Sequence, residues 1–402
     1  MVAPHASYRT APYIEAARTA GVEPFLLCAR SALDLPAHVA GAVHDAGDVD
    51  AALEIAGERH RDFPFDGVCV TDDATAELGA RIARRLGLNG NDPAAAALTN
   101  DKLRARGRLA EAGVASPDYA CVDLHDRPTA ISALPPFPLV VKPLSMSASR
   151  GVIRVDDEAE LIRALDRIER LLAREFAEPD FRVLVERYIP GFEVAVEGLL
   201  TGGILEVLAV FDKPEPLTGP YFEETYYTTP SRLAPAIVER IGEGVQAACS
   251  ALGLVEGPVH AECRVNSHGV WPLEVAARTI GGKCARLLTF ATGLTLEEIV
   301  IAHAVGEKPA IAPLRGGAGV LMVPVPASGV VRRVEGIGEA RRVPGIEDVE
   351  IDVGSGQVIT AWPEGGAYPG FVFSRAATPL DAEMALRRAG ELIRIVVAPL
   401  LA

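Results

Sequence analysis

The 402 residues are 49% hydrophobic and 23% charged, with a formal charge of −15. That balance excludes a disordered chain, leaves room for two or three domains, and lacks the basic excess expected of a nucleic-acid binder. No apolar run is long enough to span a bilayer, and Met1 to Tyr8 lacks a basic stretch leading into an apolar one, so neither a membrane nor an export signal is expected.

The six cysteines (Cys28, Cys69, Cys121, Cys249, Cys263 and Cys284) are scattered without a CxxC pair. Free thiols in a reducing cytoplasm fit this spacing better than a zinc site. Only five of the 39 basic residues are lysines: Lys102, Lys142, Lys213, Lys283 and Lys308. A lysine kept against that bias is a candidate for a role needing a compact ammonium on a flexible stem.

Helix and strand patterns alternate from Pro12 to Gly87. Ala11 to Ala20, Val49 to Arg59 and Ala74 to Leu86 read as helices, and Val22 to Leu27 and Gly67 to Val70 as strands. This order predicts a parallel, Rossmann-like sheet over residues 1–95. Its first strand, before the Ser7-Tyr8-Arg9 turn, is expected to be short or clipped. Residues 96–312 follow as a second domain. Thr99 to Ala112 reads as one helix, Phe137 to Lys142 and Val152 to Val155 as strands, and Asp157 to Glu175 as a helix. Within it, residues of about 121–185 are expected to form a mobile lid. Val183 to Tyr188, Glu193 to Leu200 and Ile204 to Asp212 read as strands, Ser231 to Leu252 and Leu294 to Val305 as helices, and Val259 to Val275 as a hairpin turning at Asn266 to Gly269. The texture changes after Leu314 to Gly317, where short strands and a closing helix, Leu380 to Ile395, predict a separate α+β domain over 313–402.

Three clusters carry chemistry. Glu262 and Glu274 fall near facing positions of the hairpin, each inside an apolar strand, where two hard carboxylates suit Mg²⁺ or Mn²⁺ against nucleotide phosphates. Arg278 follows as a fixed cation, and Gly281-Gly282 allows a close backbone approach. Lys142 ends a strand before the small-residue loop 145–151, whose Ser147, Ser149 and Gly151 suit phosphate oxygens, although a Walker spacing is absent. In the third cluster, Glu186, Tyr188 and Ile189 lead from a strand into an extended segment that can face an adenine edge, and Glu193 can accept from ribose hydroxyls. Each cluster alone also fits a plain strand, loop or solvated hairpin.

Taken in order, the clusters resemble the ATP-grasp superfamily over nearly the whole chain. The resemblance implies an α/β and α+β architecture: a Rossmann-like lead-in, the ATP-grasp fold and a small α+β cap, the last similar to the lid-and-barrel cap of carboxylase-like branches. It implies ATP and Mg²⁺ as cofactors, with Lys102 and Lys142 on phosphates, Glu186 flanking adenine, Glu193 on ribose, and Glu262 and Glu274 on magnesium. Within the superfamily the chain looks like L-amino acid ligases. Two stretches carry this: Glu274 to Arg278, where Ala276 replaces an asparagine common elsewhere, and Phe222 to Ser231. There Glu224 matches a glutamate that meets the amino end of the first substrate, while a histidine frequent three residues later is here Tyr227. The implied reaction is amide formation between amino acids through an acyl phosphate, with Arg278 stabilising the oxyanion and open space at Gly282 for the second, amine-bearing substrate. Many ligases of this type are dimers, and nothing in the sequence fixes an interface. A ligase activating bicarbonate or formate, and a nucleotide-binding regulator without catalysis, are the alternatives.

Overall fold

The computed structural model describes residues 1–5, 7–29, 39–45, 47–127, 131 and 134–400. The expected lid, at about 121–185, therefore falls in part outside the described residues.

The chain opens with β1 (Val2–Ala3), α1 (Thr10–Thr19), β2 (Phe25–Ala29), β3 (Ala40–His44), α2 (Val49–Asp62) and α3 (Asp73–Leu86). The three strands pair in parallel, as the alternating pattern predicts. Two details differ from expectation. β3 carries no period-2 signal, and the strand expected at Gly67 to Val70 is a single parallel bridge from Val70 to Val2. Asp48 caps α2 by accepting from Ala51 N, and Gly87, at a φ of 69°, closes α3 in the left-handed conformation that glycine tolerates.

The helix expected at 99–112 is present as α5 (Lys102–Glu111), and a short helix not read from the sequence, α4 (Pro93–Leu98), precedes it. Asp101 accepts from Arg104 N and starts the second helix afresh, which sets Lys102 on its first turn. Next comes a four-stranded sheet of β4 (Tyr119–Asp123), β5 (Leu139–Pro143), β6 (Ile153–Val155) and β7 (Arg182–Arg187), in the order β4-β7-β5-β6. The helix α6 (Glu158–Glu175) covers one face. Its Leu161, Leu165, Ile168 and Leu172 recur at helical spacing and are buried against Val141, Val155 and Val185.

The largest sheet takes β8 (Phe192–Thr201), β9 (Ile204–Asp212), β10 (Tyr226–Thr229), β11 (Gly257–Asn266) and β12 (Gly269–Ala276), with α7 (Pro235–Leu252) inserted between β10 and β11 and α8 (Arg286–Thr292) and α9 (Leu296–Ala304) after β12. β13 (Gly317–Met322), β14 (Gly329–Glu335), α10 (Ile337–Ala340), β15 (Ile346–Ile351), β16 (Val358–Ile359), β17 (Gly370–Ala376), α11 (Pro379–Leu392) and β18 (Arg394–Ala398) complete the chain.

The C-terminal part is not separate in the way its texture suggests. β13, β17 and β15 extend the central sheet, whose order is β12-β11-β8-β9-β10-β13-β17-β15. β10 bonds β13 over four residue pairs, Tyr226 to Thr229 against Leu321 to Ala318. One open eight-stranded sheet thus runs through the expected boundary near 312, and no barrel forms among the described residues. Buried Phe211, Tyr227, Val320, Met322 and Phe373 share one core beneath it.

Candidate active site

A cleft separates the four-stranded sheet from the β11–β12 hairpin. It is lined by Lys102, Lys142, Met146, Ser147, Ser149, Glu186, Tyr188, Ile189, Glu193, Glu262 and Glu274. All three clusters read from the sequence meet there. The cleft offers about 90 Å³, well under the roughly 300–1,000 Å³ usual for a small-molecule site. A larger cavity of about 670 Å³ lies elsewhere, under the N-terminal sheet between Phe25, Arg59 and Ala304. Charged groups converge on the smaller one, which makes it the candidate site.

Protein partners close the cleft from within. Lys102 Nζ donates to Met146 O at 2.6 Å, and Lys142 Nζ pairs with Glu186 Oε2 at 2.6 Å. Glu186 is 2% exposed, and its other oxygen meets Arg106 Nε at 2.5 Å. Burial pushes the Glu186 carboxyl upward, but Arg106 and Lys142 outweigh it and hold it below the usual range. Arg106 gave no sign of itself in the sequence, being one arginine among many. It is 3% exposed, and its guanidinium also donates to the carbonyls of Pro272 (3.0 Å) and Leu273 (2.8 Å). The β11–β12 register slips at this point, between Glu262 and Cys263. A bulge leaves carbonyls without ladder partners, and Arg106 supplies them.

The hairpin pairs Glu262 directly with Glu274, as expected. Their surroundings differ. Glu274 is exposed, against the expectation that both are buried, because its side chain points into the cleft. Glu262 belongs to a buried charge cluster around Lys213. Lys213 Nζ lies 2.8 Å from Glu193 Oε1 and 3.2 Å from Glu262 Oε1, and it donates a short hydrogen bond to Glu224. Arg264 Nε holds the other oxygen of Glu193 at 2.8 Å. Glu193, read as a ribose acceptor, therefore enters the cleft with both oxygens already engaged and only its remaining lone pairs free.

Charge balance decides the protonation in this cluster. Burial favours the neutral form of Glu224, and Glu262 beside it adds to the effect against Lys213, so its carboxyl is pushed up to about 7. Glu262 goes the other way: burial is outweighed by Lys213 and His260, which hold it well below the ordinary value. His260 Nδ1 bonds Glu197 Oε1 at 2.6 Å, with Nε2 3.8 Å from Glu262 Oε1. Glu197 Oε2 in turn accepts from Ile280 N at 3.1 Å. Lys213, Arg264, His260 and Glu197 are absent from the sequence-derived site, and of these only Lys213 carried a signal, the scarcity of lysine.

The segment after the hairpin departs most from expectation. Arg278 is largely buried, donating through Nε to Asp73 Oδ2 (2.9 Å) on the first turn of α3 and through Nη1 to Thr279 O (2.9 Å). Gly282 does not border open space. Its φ is 61°, and a Cβ there would sit 2.7 Å from Met322 Sδ and 3.5 Å from Cys284 Sγ. Its N–H donates to Tyr8 OH at 3.2 Å, and a Cβ on Gly281 would meet Arg9 Nη2 at 3.0 Å. Tyr227 is buried in the core under the sheet, with its ring facing Lys213 Nζ at 5.3 Å. Arg278, Glu224, Tyr227, Gly281 and Gly282 all lie outside the cleft lining itself.

The 145–151 loop is tied to the C-terminal part. Gly151 N donates to Pro363 O at 2.8 Å, so this amide is not available to a phosphate. Trp362 Nε1 donates to Ala148 O at 3.1 Å, Arg150 Nε to Glu364 O at 3.0 Å, and Arg167 grips the Glu364 carboxylate with Nε at 2.5 Å and Nη2 at 2.8 Å.

The donor set fits a hard divalent cation. Glu193, Glu224 and Glu262 bring oxygens within 4.8 Å of one another, but Lys213 occupies the centre of that triad. Glu262 with the exposed Glu274 is the pair left open toward the cleft.

An open antiparallel sheet facing a smaller sheet across a cleft of lysines and acids is the arrangement of ATP-grasp proteins. Residues 135–286 match the family model of the ATP-grasp domain, and residues 14–90 that of the ATP-grasp N-terminal domain. The chain belongs to the ATP-grasp superfamily. Residues 321–398 match L-amino acid ligase C-terminal domain 2, which sets the chain beside that branch. The solved L-amino acid ligase from Bacillus licheniformis is similar to it with a TM-score of 0.80 and 26% identity, covering 99% of this chain and 98% of that one. The uncharacterized protein y4rH of Sinorhizobium fredii is 27% identical over 96% of this chain and 80% of its own length. The D-alanine–D-alanine ligase of Nitrosomonas europaea is 31% identical over 44% of this chain and 55% of its own. No helix among the described residues is long and apolar enough to cross a membrane.

Proposed function

We propose that this ATP-grasp ligase joins a carboxylic acid to the amine of an amino acid, forming a peptide-like amide and releasing ADP and phosphate. The observation that carries this reading is the convergence of Lys102, Lys142 and the 145–151 loop on one wall of the cleft with Glu262 and Glu274 on the other. The likeness to ligases of amino acids supports the choice of substrates.

In this reading the donor carboxylate takes the terminal phosphoryl group of ATP, and the amine then displaces phosphate from the acyl phosphate. Lys142 must leave Glu186, and Lys102 must leave Met146 O, to reach phosphate oxygens. The cleft must widen to admit the nucleotide, so the four-stranded sheet and its 145–151 loop act as the lid. Magnesium held by Glu262 and Glu274 would supply positive charge against the phosphate oxygens. Ser147 and Ser149 offer hydroxyls there, and Tyr188 and Ile189 form the adenine wall. Arg278, fixed by Asp73, is the cation for the oxyanion that forms when the amine attacks. Reclosure of the lid excludes water, which would otherwise hydrolyse the acyl phosphate.

The test is a screen of acid and amine pairs for ADP and phosphate release, with mass detection of the amide. An amide with stoichiometric ADP is the expected result. AMP and pyrophosphate as products would overturn the acyl-phosphate route, and ADP release driven by bicarbonate alone would favour carboxylase-like chemistry instead.

A further inference from the structure

Glu186 is buried and meets two cations at once, Arg106 Nε at 2.5 Å on Oε1 and Lys142 Nζ at 2.6 Å on Oε2. Two cations on one carboxylate leave a surplus of positive charge. The two are held in different ways. Arg106 is buried and spreads its other N–H groups over Ser116 Oγ (3.4 Å), Pro272 O (3.0 Å) and Leu273 O (2.8 Å), so it joins α5, β7 and the bulged stretch of β12. Lys142 lines the cleft on a flexible stem, and Glu186 is its one ion-pair partner among the described residues.

Taking a cation away from a buried carboxylate is costly unless another stays behind. A nucleotide phosphate that draws Lys142 out leaves Glu186 paired with Arg106, and that pair is neutral. Without Arg106, the same movement would leave the carboxylate buried alone, and Lys142 would be retained on it. Arg106 does not itself go to the phosphate, because leaving would strip the Pro272 and Leu273 carbonyls of their donor. We infer that Arg106 is a positioning residue for nucleotide binding: it stays on Glu186 as the permanent counter-ion and so releases Lys142 to the phosphates. This rests on the reading above, in which Lys142 reaches phosphate oxygens, and it gives Arg106 a role that acts through Lys142.

The test is the binding of ATP with Mg²⁺ by calorimetry, without any acid substrate. Adenosine, which carries no phosphate, is the control. Arg106→Met is expected to weaken ATP by about ten-fold or more and to leave adenosine unchanged. Adding Glu186→Gln removes the carboxylate that retains Lys142. The double variant is then expected to bind ATP as well as Glu186→Gln alone, a strong departure from additivity. If Arg106 serves only to hold the bulge, ATP and adenosine weaken together and the second substitution restores nothing. Either result overturns the inference.

Should Arg106→Met not fold, Arg106→Lys decides. It keeps the charge and gives up the fork across the bulge. ATP affinity close to wild type supports the counter-ion role, whereas a loss of about ten-fold or more assigns Arg106 to hairpin geometry instead. Lys142→Met separates the inference from the reading beneath it. If that variant binds ATP as tightly as wild type, Lys142 does not meet the phosphates, and the inference falls with the reading. If it binds ATP weakly while Arg106→Met binds normally, the inference alone falls.

Discussion

Glu262 and Glu274 face each other across β11 and β12; Glu262 makes a direct ion pair with Lys213, while Glu274 meets Arg278 only through its longer-range charge. Glu274 stands exposed in the cleft. The pair thus divides into a fixed carboxylate and an open one. Glu274→Gln is expected to lower turnover by on the order of 10²-fold or more, the scale of losing one preorganised electrostatic contact. Its melting temperature should stay within about 1 °C of wild type, as for an exposed change. Calorimetry beside the ADP assay checks both, and full activity would remove Glu274 from the site. Glu262→Gln should lose activity and also stability, because it leaves Lys213 a buried partner short.

The Glu186 carboxyl is expected to contribute acid sensitivity to the fold. Its folded value lies below the ordinary 4.5 because of Arg106 and Lys142. The unfolded chain therefore binds the proton first as pH falls. The stability from this group is fully present above pH 4.5 and is lost as pH drops through the lower, folded value. Glu186→Gln should cost about 3 kcal/mol at neutral pH by stranding Arg106. Its melting temperature should also fall less steeply than wild type below pH 4.5. Parallel slopes in a pH series of thermal melts would assign the acid sensitivity to another group.

Arg278 is aimed by Asp73, 205 residues away in sequence. Asp73→Asn keeps the shape and removes the charge. Losses on the order of 10- to 100-fold in kcat are expected from a misplaced catalytic cation, with KM for ATP unchanged. A change in ATP KM alone would mean that the contact matters only for domain packing.

Gly282 has no spare room. Gly282→Ala must place a Cβ 2.7 Å from Met322 Sδ at a φ of 61°. A cost of about 1–2 kcal/mol is expected from the left-handed backbone alone. The assay is urea denaturation. A neutral or stabilised variant would show that the loop relaxes freely.

The Arg167–Glu364 fork ties α6 to the C-terminal segment. It is partly exposed, so Glu364→Ala should change stability by less than about 1 kcal/mol. The expected effect is on coupling, with more ADP released per amide formed because the lid closes less firmly over the reactive intermediate. An unchanged ratio of ADP to amide would exclude the clasp from catalysis.

Much of the site was legible because its residues mark short local patterns. Lys142 ends a strand before a small-residue loop, and Glu262 and Glu274 stand at matching places in a hairpin with an obvious turn. α6 and α3 declare themselves by the spacing of buried residues. What stayed hidden depends on partners distant in sequence. β10 is four residues whose strand character comes from β13, some ninety positions on. Arg106 lies on a helix rich in charge, and nothing local says that its guanidinium is buried against the hairpin bulge. His260 and Glu197 are one residue each on separate strands, joined only by the register of β11 with β8. The space at Gly282 was misjudged for the same reason, since Met322 comes from β13.

The run of the central sheet across the expected boundary has a consequence for how the chain is made. Until β13 emerges during synthesis, the Tyr226–Thr229 edge has no neighbour on that side, and it presents unpaired backbone groups beside apolar surface. A shortened chain ending near residue 312 would keep that edge open and is a candidate for aggregation rather than a working core. Three later strands thus complete the sheet that the first five begin, and the central sheet is closed over that edge only when β13, β15 and β17 have left the ribosome.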